Sequence, residues 1–232
     1  MLQIQSLGES SLVLTPSELA ISFAPLQVNI ATSIKAERLA DLQAQLTALA
    51  QTCQALDEFA DVVLGMGNLT LLLKDSDKMA YWHGEIATLW HKASRITARS
   101  QQITIPVCYG GEAGPDLEYV AHVHQLSTAE VIRLHTTPSY RVCFLGFQPG
   151  FAYLDGLASQ LFTPRRDEPR LSVPKGSVGI GNQQTGVYPA AAPGGWQLIG
   201  QTKLTLFDVN SERPNLLMPG DTVIFCPTQW DK

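Results

Sequence analysis

The sequence predicts an α+β chain in two parts: a ferredoxin-like βαββαβ domain over residues 1–100 and a mostly β domain over residues 101–232. Two patterns carry that division. Up to about residue 100, short apolar runs bounded by glycine alternate with two amphipathic stretches of helical period. From Ser139 onward the apolar runs shorten, and glycine and proline punctuate them so often that no helix of ordinary length fits between them. With 232 residues, 45% hydrophobic and 16% charged, the chain is long enough to bury a sizeable core in one domain or two.

Leu2–Leu7 and Ser11–Leu14, parted by Gly8-Glu9, read as a hairpin. Ser33 is placed to cap a helix in which Ile34, Leu39, Leu42, Leu46 and Leu49 recur with Lys35, Arg38, Asp41 and Gln45 between them, ending near Thr52. Ala55–Leu64 and Asn68–Lys74, divided by Gly65-Met66-Gly67, read as paired strands. A second helix from Asp77 gathers Met79, Trp82, Ile86, Leu89, Ala93 and Ile96 on one face, and Ile103–Val107 is expected to return as the last strand of the βαββαβ order.

The glycine-rich loop Tyr109–Asp116 leads to a helix whose face is Leu117, Val120, Ala121 and His124, with Asp116 as its expected N-cap. Another helix opens at Ser127, where Ser127 and Glu130 have the spacing of a capping box. Two helices joined by a short turn raise a DNA-reading helix-turn-helix. Asp116, Glu118 and Glu130 outnumber Arg133, the wrong balance for phosphate contacts. Beyond them, Tyr140–Leu145, Ser172-Val173, Ser177–Ile180, Trp196–Ile199, Lys203–Phe207 and Thr222–Phe225 have strand composition. A closed barrel or sandwich would remove their exposed edges.

The net charge of −5 at pH 7 argues against a nucleic-acid surface, which leaves a basic footprint. No apolar run reaches the length of a membrane span and no basic stretch precedes an apolar one at the N-terminus, so neither membrane nor export is indicated and the cytoplasm is the expected location. Cys53, Cys108, Cys143 and Cys226 are far apart and form no C-x-x-C pair, which suits reduced thiols.

Phosphate loops, dinucleotide fingerprints, H-E-x-x-H and G-x-S-x-G motifs are all absent from the sequence. His122 and His124 are two apart on a helix and face different ways, so they do not chelate one ion, and no metal site is expected. His135 reads equally as a cation at a helix C-terminus. In Thr163–Arg170, prolines hold the backbone extended around Arg165, Arg166 and Arg170, whose planar guanidinium groups match carboxylate or phosphate. A solvated ion-pair loop with Asp167 and Glu168 is the alternative. The stretch Gly176–Gly181 could aim backbone N–H groups at an anion or merely permit barrel turns. Gln148, Gln183, Gln184, Thr185 and Tyr188 add neutral groups that orient a small amide or acid, and Trp196 reads as a core plug.

Five ordered motifs, Tyr109–Leu117, Phe144–Leu154, Thr163–Arg170, Val173–Pro189 and Pro193–Gly200, resemble the KipI/PxpB family, also described as allophanate hydrolase subunit 1, which includes the B subunit of bacterial 5-oxoprolinase. The resemblance implies a cyclophilin-like β-barrel after the N-terminal domain. It also implies a partner subunit of the KipA/PxpC type and a third, PxpA-type protein, acting together with ATP to open 5-oxoproline to L-glutamate. ATP would bring Mg²⁺ held chiefly by its phosphates and shared with the partner subunit. Carried onto this sequence, the resemblance makes His135, Arg165 and Arg166 catalytic, with His135 as proton carrier. Gln148, Arg170, Gln183, Thr185 and Tyr188 would bind substrate, and Gly176, Ser177, Gly179 and Gly181 would bind phosphate. Other readings of the same resemblance are an inhibitor of a sensor histidine kinase and a carboxyltransferase-like subunit acting on a urea-like amide. The sequence departs from the family pattern at Gln125, where a glycine is usual, and at Lys175, where a small residue is usual.

Overall fold

A computed structural model of the chain describes residues 1–19, 36–93 and 100–229, and the chain divides into two compact units, Met1–Ala98 and Arg99–Lys232. The first unit holds β1 (Leu2–Leu7), β2 (Ser11–Pro16), α1 (Ala36–Ala55), β3 (Phe59–Leu64), β4 (Leu69–Leu73) and α2 (Met79–Ala93). Its strands form one antiparallel sheet in the order β1-β2-β4-β3. Alternation along β2 and β4 sends Leu12, Leu14, Leu69, Leu71 and Leu73 to one face, where they meet Leu42, Leu46 and Leu49 of α1 and Trp82, Ile86 and Trp90 of α2. Each of these side chains stabilises the unit by roughly 1.5–3 kcal/mol relative to exposure. Gln43, buried on α1, is satisfied by the β3–β4 turn: its Nε2 donates to the Gly65 carbonyl at 3.0 Å and its Oε1 accepts from the Gly67 N–H at 2.9 Å.

Several expectations shift. Ala55 closes α1 instead of opening a strand, and a 3₁₀ turn, Ser76–Lys78, precedes α2. Its cap is Asp75, which accepts the Asp77 N–H at 3.0 Å. Ser33, Ile34, Lys35 and Ile96 lie outside the described residues. The ferredoxin-like order is not formed: among the described residues this unit runs ββαββα, and Ile103–Val107 belongs to β5 (Gln102–Tyr109) of the second unit. Local pattern identifies a strand but not the sheet that receives it, and β5 finds one of its partners over a hundred residues later, in parallel register with β13 (Thr222–Pro227).

After β5 come α3 (Leu117–Val123), α4 (Thr128–Thr136), β6 (Tyr140–Leu145), β7 (Ala152–Asp155), β8 (Arg170–Val173), β9 (Ser177–Gly181), β10 (Gln184–Val187), β11 (Ala192–Gly194) and β12 (Gln197–Gln201). Among the described residues, seven strands close a barrel in the cyclic order β10-β7-β6-β13-β5-β12-β9, while β8 and β11 pair with each other apart from it. Three strands, β7, β10 and β11, escape a reading by composition because they are only three or four residues long. Lys203–Phe207, expected as a strand, makes only a bridge between Phe207 and Asn215.

Inward residues Ile105, Val107, Val142, Leu154, Val178, Ile180, Val187, Ile199, Val223 and Phe225 fill the barrel, and Leu117, Val120 and Val131 of the two helices join the same core. A smaller cluster of Phe151, Val173, Tyr188, Trp196 and Leu198 uses the alternate residues on the outer side of the wall. The helices thus each pack an apolar face onto the barrel core. Ser127 caps α4 as expected, its Oγ accepting the Glu130 N–H at 3.2 Å.

Candidate functional site

The sequence pattern makes Asp116 a helix cap, but its carboxylate makes no capping bond. It turns toward the arginine loop instead. One oxygen, Oδ2, accepts the backbone N–H of Leu198 on β12 at 2.6 Å. The other, Oδ1, accepts Nη2 of Arg170 at 2.7 Å and lies 3.5 Å from Nη1 of Arg166. The Asp116 side chain is 7% exposed, so its charge is compensated largely by these two guanidinium groups. Nη1 of Arg170 is buried and has no hydrogen-bond partner, so a donor remains without an acceptor. The loop itself is pinned by backbone, with the Arg166 N–H donating to Gly195 C=O at 2.7 Å and Gln197 Nε2 donating to Pro164 C=O at 3.0 Å.

Arg165 takes a different position, its guanidinium 5.8 Å from the ring centroid of Trp196. That indole is seated against glycines, where there are no side chains. A Cβ at Gly181 would stand 2.6 Å from the indole nitrogen, one at Gly179 3.1 Å from Trp196 Cβ, and one at Gly186 3.2 Å from Trp196 Cζ3. The backbone groups of Gly176, Ser177, Gly179 and Gly181, expected to bind phosphate, have partners within the fold. The Gly176 and Ser177 N–H groups donate to Tyr188 and Pro174 carbonyls, and Gly179 and Gly181 run in a barrel strand paired on both sides. The glycines seat Trp196, and Trp196 carries Arg165.

Around that seat stands a set of edge-to-face rings. Phe151 meets Trp196 at 5.4 Å and Tyr188 at 5.3 Å, and Tyr153 meets Phe151 at 5.0 Å. Tyr188 is buried, and burial raises its hydroxyl pKa even though the Trp196 N–H and the nearby Arg165 and Arg170 charges pull the other way. Phe147 lies edge-on to Phe151 and Tyr188 yet is 59% exposed. Gln148 is half-buried beside it, with Nε2 donating to the Ala190 carbonyl at 3.2 Å.

The remaining expected residues do not join this group. Gln183 is an exposed residue of the β9–β10 turn. His135 is fully buried, packed between Tyr109, Tyr140 and Phe225 inside the barrel. Thr185 Oγ1 donates its proton to Gly179 C=O at 2.9 Å, so it accepts from His135 Nε2 at 2.9 Å, and Nδ1 accepts from the Tyr109 hydroxyl at 2.8 Å. Both ring nitrogens are used by a neutral imidazole, and burial pushes its pKa down to about 3. A proton carrier for neutral pH needs the opposite, so His135 and Thr185 read here as barrel structure. Sequence reasoning missed Asp116, Phe147 and the seating role of Trp196; all three stand inside the glycine-rich motifs, but their contacts join positions up to 82 residues apart.

Residues 17–217 match the family described as carboxyltransferase domain, subdomain C and D. The chain is 49% identical to the B subunit of 5-oxoprolinase from Escherichia coli O157:H7, over 80% of this chain and 85% of that one. It is 35% identical to the solved structure of TTHA0988, with a TM-score of 0.71, covering 82% of this chain but only 38% of that longer one. The urea carboxylase of Kluyveromyces lactis shares the fold at 16% identity and a TM-score of 0.70, over 98% of this chain and 22% of that one. The match spans both units, and the chain belongs to the family of 5-oxoprolinase B subunits that its motifs resemble, within the carboxyltransferase domain, subdomain C and D.

Proposed function

We propose that this chain is the B-type subunit of a cytoplasmic, ATP-dependent 5-oxoprolinase, working with a KipA/PxpC-type subunit and a PxpA-type protein and inactive without them. The observation that carries the reading is the 49% identity to a 5-oxoprolinase B subunit over most of both chains. The arginine loop supports the chemistry. A lactam carbonyl is a poor electrophile, and ATP overcomes this when the amide oxygen takes the γ-phosphoryl group and ADP leaves. One water then adds to the activated carbon, the ring C–N bond breaks with a proton going to nitrogen, and a second water releases phosphate from the opened product, L-glutamate.

The role of this chain is to stabilise the phosphoryl charge and orient the amide. Arg165 and Arg166 present cationic groups at the surface, and Arg170 offers a buried Nη1 donor that lacks an acceptor. An anionic phosphate oxygen is the acceptor such a group is built for. Mg²⁺ would arrive on the phosphates; among the described residues no three His, Cys, Asp or Glu side chains stand together to hold a metal ion. Gln148 and Tyr188 complete the substrate side.

ADP and glutamate formation from ATP and 5-oxoproline tests the reading, measured with this chain alone, with its companion subunit, and with all three components. Turnover only in the full mixture is expected, and Arg166→Ala is expected to lower it by about a hundredfold while the subunits still pair. No turnover in an assembled complex would remove the substrate assignment.

A further inference from the structure

We infer that the Gly146–Phe151 turn is a recognition element in which Phe147 is a specificity-determining residue, its ring forming an apolar wall for a small cyclic amide. The inference rests on the proposed function and adds to it a residue outside the arginine loop. Phe147 has φ +69°, the left-handed region that a bulky L-residue avoids. The Gln148 N–H donates to Gly146 C=O at 2.8 Å, so the chain reverses in a single residue, the γ-turn that is rare because it is strained. Two more bonds lock it, Phe151 N–H to Gln148 C=O at 3.0 Å and Gly146 N–H to Phe151 C=O at 3.1 Å.

Edge-to-face contacts with Phe151 and Tyr188 offset only part of the strain of a phenylalanine here. Glycine adopts this φ without strain, and the ring is left mostly in water, touching Phe151 and Tyr188 only edge-on with centroids 5.4 and 6.1 Å away. A side chain held in a disfavoured backbone state and displayed to solvent fits a surface selected for contact with a ligand. What lies around it defines the ligand. Tyr188, edge-on to the ring, is within the electrostatic reach of Arg165 and Arg170. The Gln148 carboxamide is fixed at the same rim by its bond to Ala190. A flat apolar wall, a carboxamide and guanidinium groups suit a small planar ring that carries an amide edge and an anionic group.

The test uses the three-component assembly with Phe147→Gly, which relieves the turn and deletes the ring, and Phe147→Tyr, which keeps both ring and strain. In Phe147→Gly the thermal midpoint of this chain stays at or above the parent value and the subunits still co-purify. KM for 5-oxoproline rises about tenfold while KM for ATP stays within about twofold, and Phe147→Tyr behaves as the parent. An unchanged KM for 5-oxoproline overturns the inference. A lowered midpoint with unchanged KM identifies the ring as packing, and loss of co-purification identifies it as a subunit contact; either overturns it as well. A parent assembly that does not turn over 5-oxoproline refutes the functional reading itself, and the inference with it, whereas an active parent with an unaffected variant refutes only the inference.

Discussion

At His135 the folded protein takes a neutral imidazole out of water, and the cost of charging it there sets one response to acid. The unfolded chain binds this proton near pH 6.5, whereas the folded chain resists it down to about pH 3. The native state therefore keeps this contribution above pH 6.5 and loses it as the pH falls from 6.5 toward 3, at up to about 1.4 kcal/mol per pH unit. Thermal midpoints of the parent and His135→Gln at pH 7, 6 and 5 check it: the parent falls more steeply, and equal slopes would take His135 out of the acid response. Asp116 makes a different kind of contribution, since it holds two arginines and a strand N–H at once. Asp116→Ala is expected to cost about 3 kcal/mol, and Asp116→Asn less than half of that because the amide oxygen still accepts the Leu198 N–H. Both should lower coupled turnover by at least about tenfold, because the arginines lose the charge that aims them. Full turnover in Asp116→Asn would show that the loop's backbone bonds suffice to hold its geometry.

Among the elements, the α3–α4 junction holds a non-glycine residue in left-handed backbone. Gln125 stands in the turn with φ +56°, where a glycine would be unstrained. Gln125→Gly should therefore raise stability by about 0.5–1 kcal/mol, read as a higher denaturation midpoint at unchanged denaturant slope. A lower midpoint would mean that the glutamine side chain or the entropy of the unfolded glycine outweighs the backbone strain. Strand β9 carries a related lesson. Its glycines look in sequence like an anion cradle, and only the indole lying 2.6 Å from where a Gly181 Cβ would sit reveals them as a seat for Trp196. The Ser127 cap, the β1–β2 hairpin and the α2 face were legible because each rests on contacts within a few residues, the range over which sequence periodicity reports structure.

For the molecule as a whole, composition and pattern determined the α+β class, the helices, the barrel character of the C-terminal part and, through five ordered motifs, the family. Hydrophobic period and turn residues carry that information because secondary structure and burial are set locally. Tertiary structure alone decided three matters: that β5 closes the barrel instead of the N-terminal sheet, that His135 is a neutral core residue, and that Asp116 joins the arginine loop. Each turns on partners far apart in sequence: β5 pairs with β13 some 120 residues later, His135 bonds Thr185 across 50 residues, and Asp116 bonds Arg170 across 54. A chain's local pattern specifies which surfaces it must bury and which donors it must satisfy, but the identity of the partner is fixed only when the barrel closes and brings those groups together.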